Sequence, residues 1–166
     1  MPRIFIALWP DAKVRGQLSD YSATCAWSAQ AKPVAAADFH LTLHFLGEVA
    51  LPLLQPLQAS LALDFDAFDL ALGQPQLWNE VAILQPGAGS AALVALHEAL
   101  TDKLQALGFT PDRRSFRPHL TLARHAGDSR LPPPAAMAWH INAYCLAASA
   151  PSPAGRYRIL QTYAAR

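Results

Sequence analysis

The chain has 166 residues, 52% of them hydrophobic and 15% charged, with a formal net charge of +1. That composition excludes a disordered chain, and the length suits one domain with a substantial buried core. The near-neutral charge excludes a strong global field for nucleic acid, so any RNA has to be recognised locally, at an end or a single nucleotide. Two cysteines, Cys25 and Cys145, without CxxC spacing argue against a disulfide scaffold or structural zinc, and for two free thiols in or near a core. The apolar run in the opening MPRIFIALWP is too short for a signal peptide, and no window approaches transmembrane length. A cytoplasmic protein with no membrane partner is the expectation.

In chain order, Arg3 to Leu8 reads as a short buried strand stopped by Pro10. Asp11 is a helix N-cap, and Ala12 to Trp27 carries a helical pattern through Val14, Leu18, Tyr21 and Cys25. Ala31 to Asp38 is a loop around Pro33. Phe39 to Leu46 is a strand closed by Gly47, and Leu51 to Leu63 a helix with Pro52 near its start. Phe65 to Trp78 contains a strand broken near Gly73-Gln74-Pro75, and Val81 to Gln85 another that ends at Pro86-Gly87. Ser90 to Leu107 is the clearest helix: Leu93, Leu96, Leu100, Leu104 and Leu107 recur at three- and four-residue steps, and Gly108 suits the C′ position. His119 to Arg124 is a strand and Leu131 to Pro134 a loop. Trp139 to Ala148 and Tyr157 to Tyr163 form a closing pair of strands around a turn at Pro151 to Gly155.

The tetrapeptide HLTL occurs twice, at His40 to Leu43 and at His119 to Leu122. The two copies begin 79 residues apart, at 40 and 119, close to half the chain length. That spacing is compatible with two lobes related by an internal repeat. Six histidines in 166 residues, with as many threonines, make about 0.2 HxT pairs the chance expectation. Strand alternation puts His and Thr on one face and the leucines on the other. Two imidazoles on facing strands can serve as base and acid in an in-line displacement at phosphorus. The neighbouring hydroxyls of Thr42 and Thr121 can donate hydrogen bonds to non-bridging oxygens, where charge has to be stabilised. Nothing in such a scheme requires a metal or another cofactor.

Arg113, Arg114 and Arg117 precede the second motif and Arg124 follows it. A guanidinium suits phosphate by forked hydrogen bonds. Arg113 and Arg114 read better as an exposed basic loop, whereas Arg124 ends the reactive strand, where it can contact substrate. His44 follows His40 by four, lining the cleft or solvated if the strand continues. His97 reads as a surface residue of its helix, and His125 and His140 receive no role.

At these residues the sequence resembles a known family. Arg3-Ile-Phe-Ile-Ala-Leu, Phe39-His-Leu-Thr-Leu-His-Phe-Leu-Gly-Glu48 and Phe116-Arg-Pro-His-Leu-Thr-Leu-Ala-Arg124 resemble the bacterial and archaeal RNA 2′,3′-cyclic phosphodiesterases. These were first named 2′-5′ RNA ligases and belong to the 2H phosphoesterase superfamily. The resemblance implies an α+β fold of two pseudo-symmetric lobes within one domain over residues 1–166. Antiparallel-rich sheets would surround a central cleft, with helices outside. It implies hydrolysis of an RNA 2′,3′-cyclic phosphate to a 2′-phosphomonoester, and in some members reversible 2′-5′ joining of RNA ends. By motif position, His40 would be the general acid and His119 the general base. Thr42, Thr121 and Arg124 would hold the phosphate. A monomer is expected. Upstream of the first motif the chain departs from many relatives: Ala31-Lys-Pro-Val-Ala-Ala-Ala-Asp38 offers few groups for reading a base.

Three other readings are set beside this one. A related enzyme could act on a small cyclic nucleotide or a cyclic ADP-ribose phosphate. A non-catalytic module could bind RNA ends or nucleotides in the same cleft, although binding alone needs no acid and base pair. A metal hydrolase could use His40 and His44 as ligands, but an i, i+4 pair converges on a helix and this segment reads as a strand.

Overall fold

The computed structural model describes residues 1–87, 90–134 and 136–166. In chain order the elements are β1 (Arg3–Leu8), α1 (Ala12–Thr24), β2 (Lys32–Pro33), a 3₁₀ turn (Ala36–Asp38), β3 (Leu41–Glu48) and α2 (Leu51–Ser60). They continue with β4 (Phe68–Trp78), β5 (Val81–Pro86), α3 (Ala91–Ala106), β6 (Leu120–Arg124), β7 (Met137–Ile141), β8 (Ala143–Ser152) and β9 (Gly155–Ala164). The strands form one nine-stranded sheet in the order β7-β4-β5-β6-β3-β1-β8-β9, with β2 on the free edge of β6. Every pairing is antiparallel.

Connectivity forces this sheet to curl. β7 stands at one end of the order and β8 near the other, yet only Asn142 separates them in the chain. The two ends therefore have to approach each other, and the Ala165 N–H donates to the Asn142 carbonyl at 2.8 Å. Trp139 to Ala148 is accordingly two strands rather than one. β7 pairs with β4 and β8 with β1 and β9, so the closing hairpin is β8–β9 and begins at Ala143.

The helices cover one face of the sheet. Ile4, Ile6 and Leu8 of β1 join Val14 and Leu18 of α1, Leu57 of α2, and Leu93, Leu96, Leu100 and Leu104 of α3 in the main core. The opposite face carries a second cluster of Phe5, Ala7 and Ala147, roofed by Trp9 and Tyr157. β1 is thus covered on both sides, which explains its unbroken apolar run. Both cysteines are free and buried. Among the described residues, no helix is long and apolar enough to cross a membrane.

Local chemistry explains most element boundaries. The Asp11 carboxylate accepts from the Val14 N–H at 2.9 Å and starts α1. The helix stops at Thr24, short of Trp27, because Ala26 exchanges two backbone hydrogen bonds of 3.0 Å with Arg130. α3 closes in a Schellman arrangement: Gly108 adopts φ +85°, its N–H bonds Gln105, and the Phe109 N–H bonds Leu104. β4 runs through Gly73 to Trp78 unbroken, absorbing the irregularity as a register shift between Leu72 and Gln74. β3 likewise continues past Gly47, which takes φ +73°.

Candidate active site

The two HxT segments meet side by side. β3 and β6 pair antiparallel at Leu41↔Leu120, the central residues of the two motifs. Both histidines stand one residue before their strands rather than inside them; the register continued by that one residue sets His40 opposite Thr121 and Thr42 opposite His119. Both leucines are fully buried toward the helices, so all four polar side chains share the other face of the sheet. Diagonal neighbours in such a ladder have Cα atoms about 7–8 Å apart, close enough for both imidazoles to reach one phosphate. Beyond Leu120 the free edge of β6 is taken by β2, through Lys32↔Arg124 and Pro33↔Ala123. The two halves of the sheet diverge there.

Each half also carries a bulge at the same place. Thr42 faces Ala7 while His44 faces Ile6, leaving Leu43 as the extra residue. Thr121 faces Ile83 while Ala123 faces Ala82, leaving Leu122 extra. A bulge reverses the side-chain alternation beyond it. His44 therefore turns inward to the helix face and lines no cleft; it is buried. His40 and His44 do not converge, so the metal reading of that pair has no geometric basis. Among the described residues no three His, Cys, Asp or Glu side chains cluster in ligating reach.

The two catalytic candidates are held in the same way. His40 Nδ1 lies 2.7 Å from the Asp38 carbonyl, and His119 Nδ1 lies 2.7 Å from the Arg117 carbonyl. A carbonyl can only accept, so Nδ1 carries the proton in both rings and Nε2 is the nitrogen left for chemistry. Each imidazole rests on a tryptophan, His40 stacked on Trp9 at 4.9 Å and His119 tilted against Trp78 at 4.8 Å. Phe5 and Tyr157 complete the wall around His40, at 5.2 and 5.0 Å. The Arg117 guanidinium lies 4.0 Å over the Trp78 ring.

Burial among the aromatic rings lowers the pKa of His40; the Asp38 carbonyl and its charge oppose this, and Arg124 and His119 push it further down. The Asp38 side chain is itself buried, and its Oδ1 accepts from the Arg156 N–H at 2.8 Å. That bond ties the β8–β9 turn to the residue that orients His40. Gly155 in the same turn has φ +152°, and a Cβ there would lie 2.8 Å from Asp38 Oδ1.

The remaining candidates divide. Arg124 is exposed at the end of β6, within electrostatic reach of His40. Arg114 is exposed and paired with Asp112 at 2.5 Å, and Arg113 is exposed, so both belong to a solvated loop. His140 pairs with Asp69 at 2.7 Å on the surface. Trp9, Trp78, Phe5 and Tyr157 join the site without having been singled out by the sequence reading. The two tryptophans at strand ends offer a signal, whereas the approach of Tyr157 from β9 does not.

His97 is half-buried rather than free on the surface of its helix. It is sandwiched between His44 at 4.2 Å and Phe116 at 3.8 Å, and the His44 Nε2–H donates to the His97 carbonyl at 3.1 Å. Burial, and then His44, bring the pKa of His97 down to about 4; burial also lowers that of His44. In the unfolded chain both imidazoles titrate near about 6.5, so between there and about 4 the unfolded state binds more protons. Stability should be full above about pH 6.5 and fall as the pH drops toward about 4. Thermal melts across this window should show Tm falling with acid and a shallower fall in His97→Phe. An equal slope in both proteins would place the proton uptake elsewhere.

Comparison with known proteins agrees with this architecture. A sequence model of the 2′-5′ RNA ligase superfamily matches residues 14–151. An RNA 2′,3′-cyclic phosphodiesterase of Escherichia coli (strain K12) is 33% identical over 145 residues, covering 82% of this chain and 80% of that protein. The crystal structure of E. coli LigT complexed with 3′-AMP superposes with a TM-score of 0.84 at 30% identity, covering 99% of both chains. The crystal structure of a Thermus thermophilus protein, TT0787, gives a TM-score of 0.75 at 27% identity, over 98% of this chain and 97% of that one. With the family pattern running through both HxT strands and the fold superposing end to end, this chain belongs to the 2′-5′ RNA ligase superfamily.

Proposed function

We propose that this protein hydrolyses the 2′,3′-cyclic phosphate at an RNA end to a 2′-phosphomonoester, with His40 as general acid and His119 as general base. The observation that carries the reading is the Leu41↔Leu120 pairing, which brings the two HxT segments side by side. Water attacks phosphorus as His119 Nε2 takes its proton. The bond from phosphorus to the 3′ oxygen breaks, and the proton on His40 Nε2 passes to that oxygen. The product is a 2′-phosphate beside a free 3′-hydroxyl, and proton exchange with solvent restores the two rings. Thr42, Thr121 and Arg124 hold the non-bridging oxygens. The lowered pKa of His40 makes its imidazolium a stronger acid than an ordinary one, which suits a poor alkoxide leaving group. A 5′-hydroxyl in place of water would leave a 2′-5′ linkage by the same geometry.

The reading takes the molecule as one domain of two pseudo-repeated halves, since each half contributes an HxT strand with a matching bulge and a matching carbonyl clamp. It takes the protein as a monomer, because one chain supplies both histidines, and as cytoplasmic, in keeping with two free buried cysteines. The test is incubation of a short RNA ending in a 2′,3′-cyclic phosphate, in EDTA, with the product identified by phosphorus NMR. Conversion to the 2′-phosphate is expected. A 3′-phosphate, or no turnover, would overturn the reading.

A further inference from the structure

We propose that Phe45 is a stacking platform for the nucleobase one nucleotide back from the cyclic phosphate, so that the site selects an RNA strand over an isolated cyclic nucleotide. This inference rests on the hydrolytic reading above. Phe45 is 71% exposed although it lies within a strand of the central sheet. The bulge at Leu43 turns Leu43 and His44 to the helix side and returns Phe45 to the cleft face, directly across from Phe5. The matching bulge at Leu122 gives Arg124 the same place in the other half, five residues after its histidine. The charge of that arginine is felt at His40. The fifth position after each motif histidine therefore falls on the histidines' face of the sheet twice, once as a guanidinium and once as a bare aromatic ring. A guanidinium is suited to phosphate; an exposed ring is suited to the π-face of an unpaired base.

Phe45 is also continuous with the catalytic wall. Its ring is 6.0 Å from Phe5, and Phe5 is 5.2 Å from His40, so a single ring separates it from the proposed acid. The leaving 3′ oxygen belongs to the ribose that carries the rest of the RNA. The acid has to stand on that oxygen's side, so the strand leads over the half of the sheet that holds His40. Trp9 and Tyr157 already crowd His40 itself, leaving Phe45 for the next base. Arg3 and Glu48 face each other at the far end of the same strands, so their charges offset and stacking rather than ion pairing carries the contact. That predicts a weak salt dependence of the effect.

The experiment compares kcat/KM on a cyclic mononucleotide and on a trinucleotide ending in the same 2′,3′-cyclic phosphate, for wild type, Phe45→Ala and Phe45→Tyr. Wild type should prefer the trinucleotide. The ratio of the two kcat/KM values should fall about tenfold in Phe45→Ala and be kept in Phe45→Tyr, since a stacked base contributes on that scale. An unchanged ratio in Phe45→Ala would overturn the proposal. A monomer–dimer difference between wild type and Phe45→Ala in sedimentation would assign this face, with the exposed Leu51 and Leu53, to a second copy of the chain and also overturn it. Wild type inactive on both substrates would instead remove the hydrolytic reading itself.

Discussion

His40→Ala and His119→Ala are each expected to lower kcat on a cyclic-phosphate RNA by roughly 10²–10⁴-fold, the range of a lost general acid or base. Both side chains are half-buried and lie outside the main core, so the variants should stay folded. The double variant should be little worse than either single one, because an acid and a base that act in one step are not additive. The pH dependence has a defined sign. Free enzyme needs His40 protonated, and burial holds that ring below the ordinary imidazole value of 6.5. kcat/KM should therefore decline as pH rises through a point on the acid side of about 6.5. Steady-state kinetics across pH on purified variants checks both statements. Full activity in either single variant would remove that histidine from the reaction.

Thr42→Val and Thr121→Val are expected to lower kcat by about 10²–10³-fold each, the scale of removing one preorganised donor to a charge that develops in the transition state. Valine keeps the β-branched shape, so strand geometry and the neighbouring pairings should survive. Thr→Ser at either position should restore most of the rate, because the hydroxyl is retained. The Leu41↔Leu120 pairing, continued by one residue on each side, sets Thr42 opposite His119 and Thr121 opposite His40, so in the proposed mechanism each hydroxyl acts beside the histidine of the other motif. A valine variant that raised KM and left kcat intact would assign the hydroxyl to ground-state binding only.

Much of this site is legible in the sequence because the chemistry sits in two short repeated strands. HLTL alternation places His40, Thr42, His119 and Thr121 on polar faces, and the buried leucines of the structure agree with it. Alternation fails three and four residues later. Nothing in Leu-His-Phe announces a bulge, so unbroken alternation sets His44 on the face of His40 and leaves Phe45 without a signal. In the structure the bulge at Leu43 exchanges their sides. His97 departs from its expected surface position for a related reason: helical spacing puts it beside the apolar stripe, but only the tertiary approach of His44 and Phe116 covers part of it.

The fold class is readable from interspersed strands and helices, and its topology only in part. Trp139 to Ala148 reads as one uninterrupted run because both of its halves are apolar. Asn142 is the only break, and its effect depends on which distant strands, β4 or β1, each half joins. The aromatic setting of the histidines is tertiary as well. Trp9 and Trp78 reach corresponding rings from strands on either side of the paired motifs, and Tyr157 arrives from the last hairpin.

The most direct test of the paired-histidine account uses a substrate in which sulfur replaces the 3′ oxygen of the cyclic phosphate. A thiolate leaves without being protonated, so the general acid becomes dispensable while the general base does not. The account predicts that this substrate restores His40→Ala to near wild-type turnover and leaves His119→Ala inactive. Rescue of His119→Ala alone, or of neither variant, would contradict it.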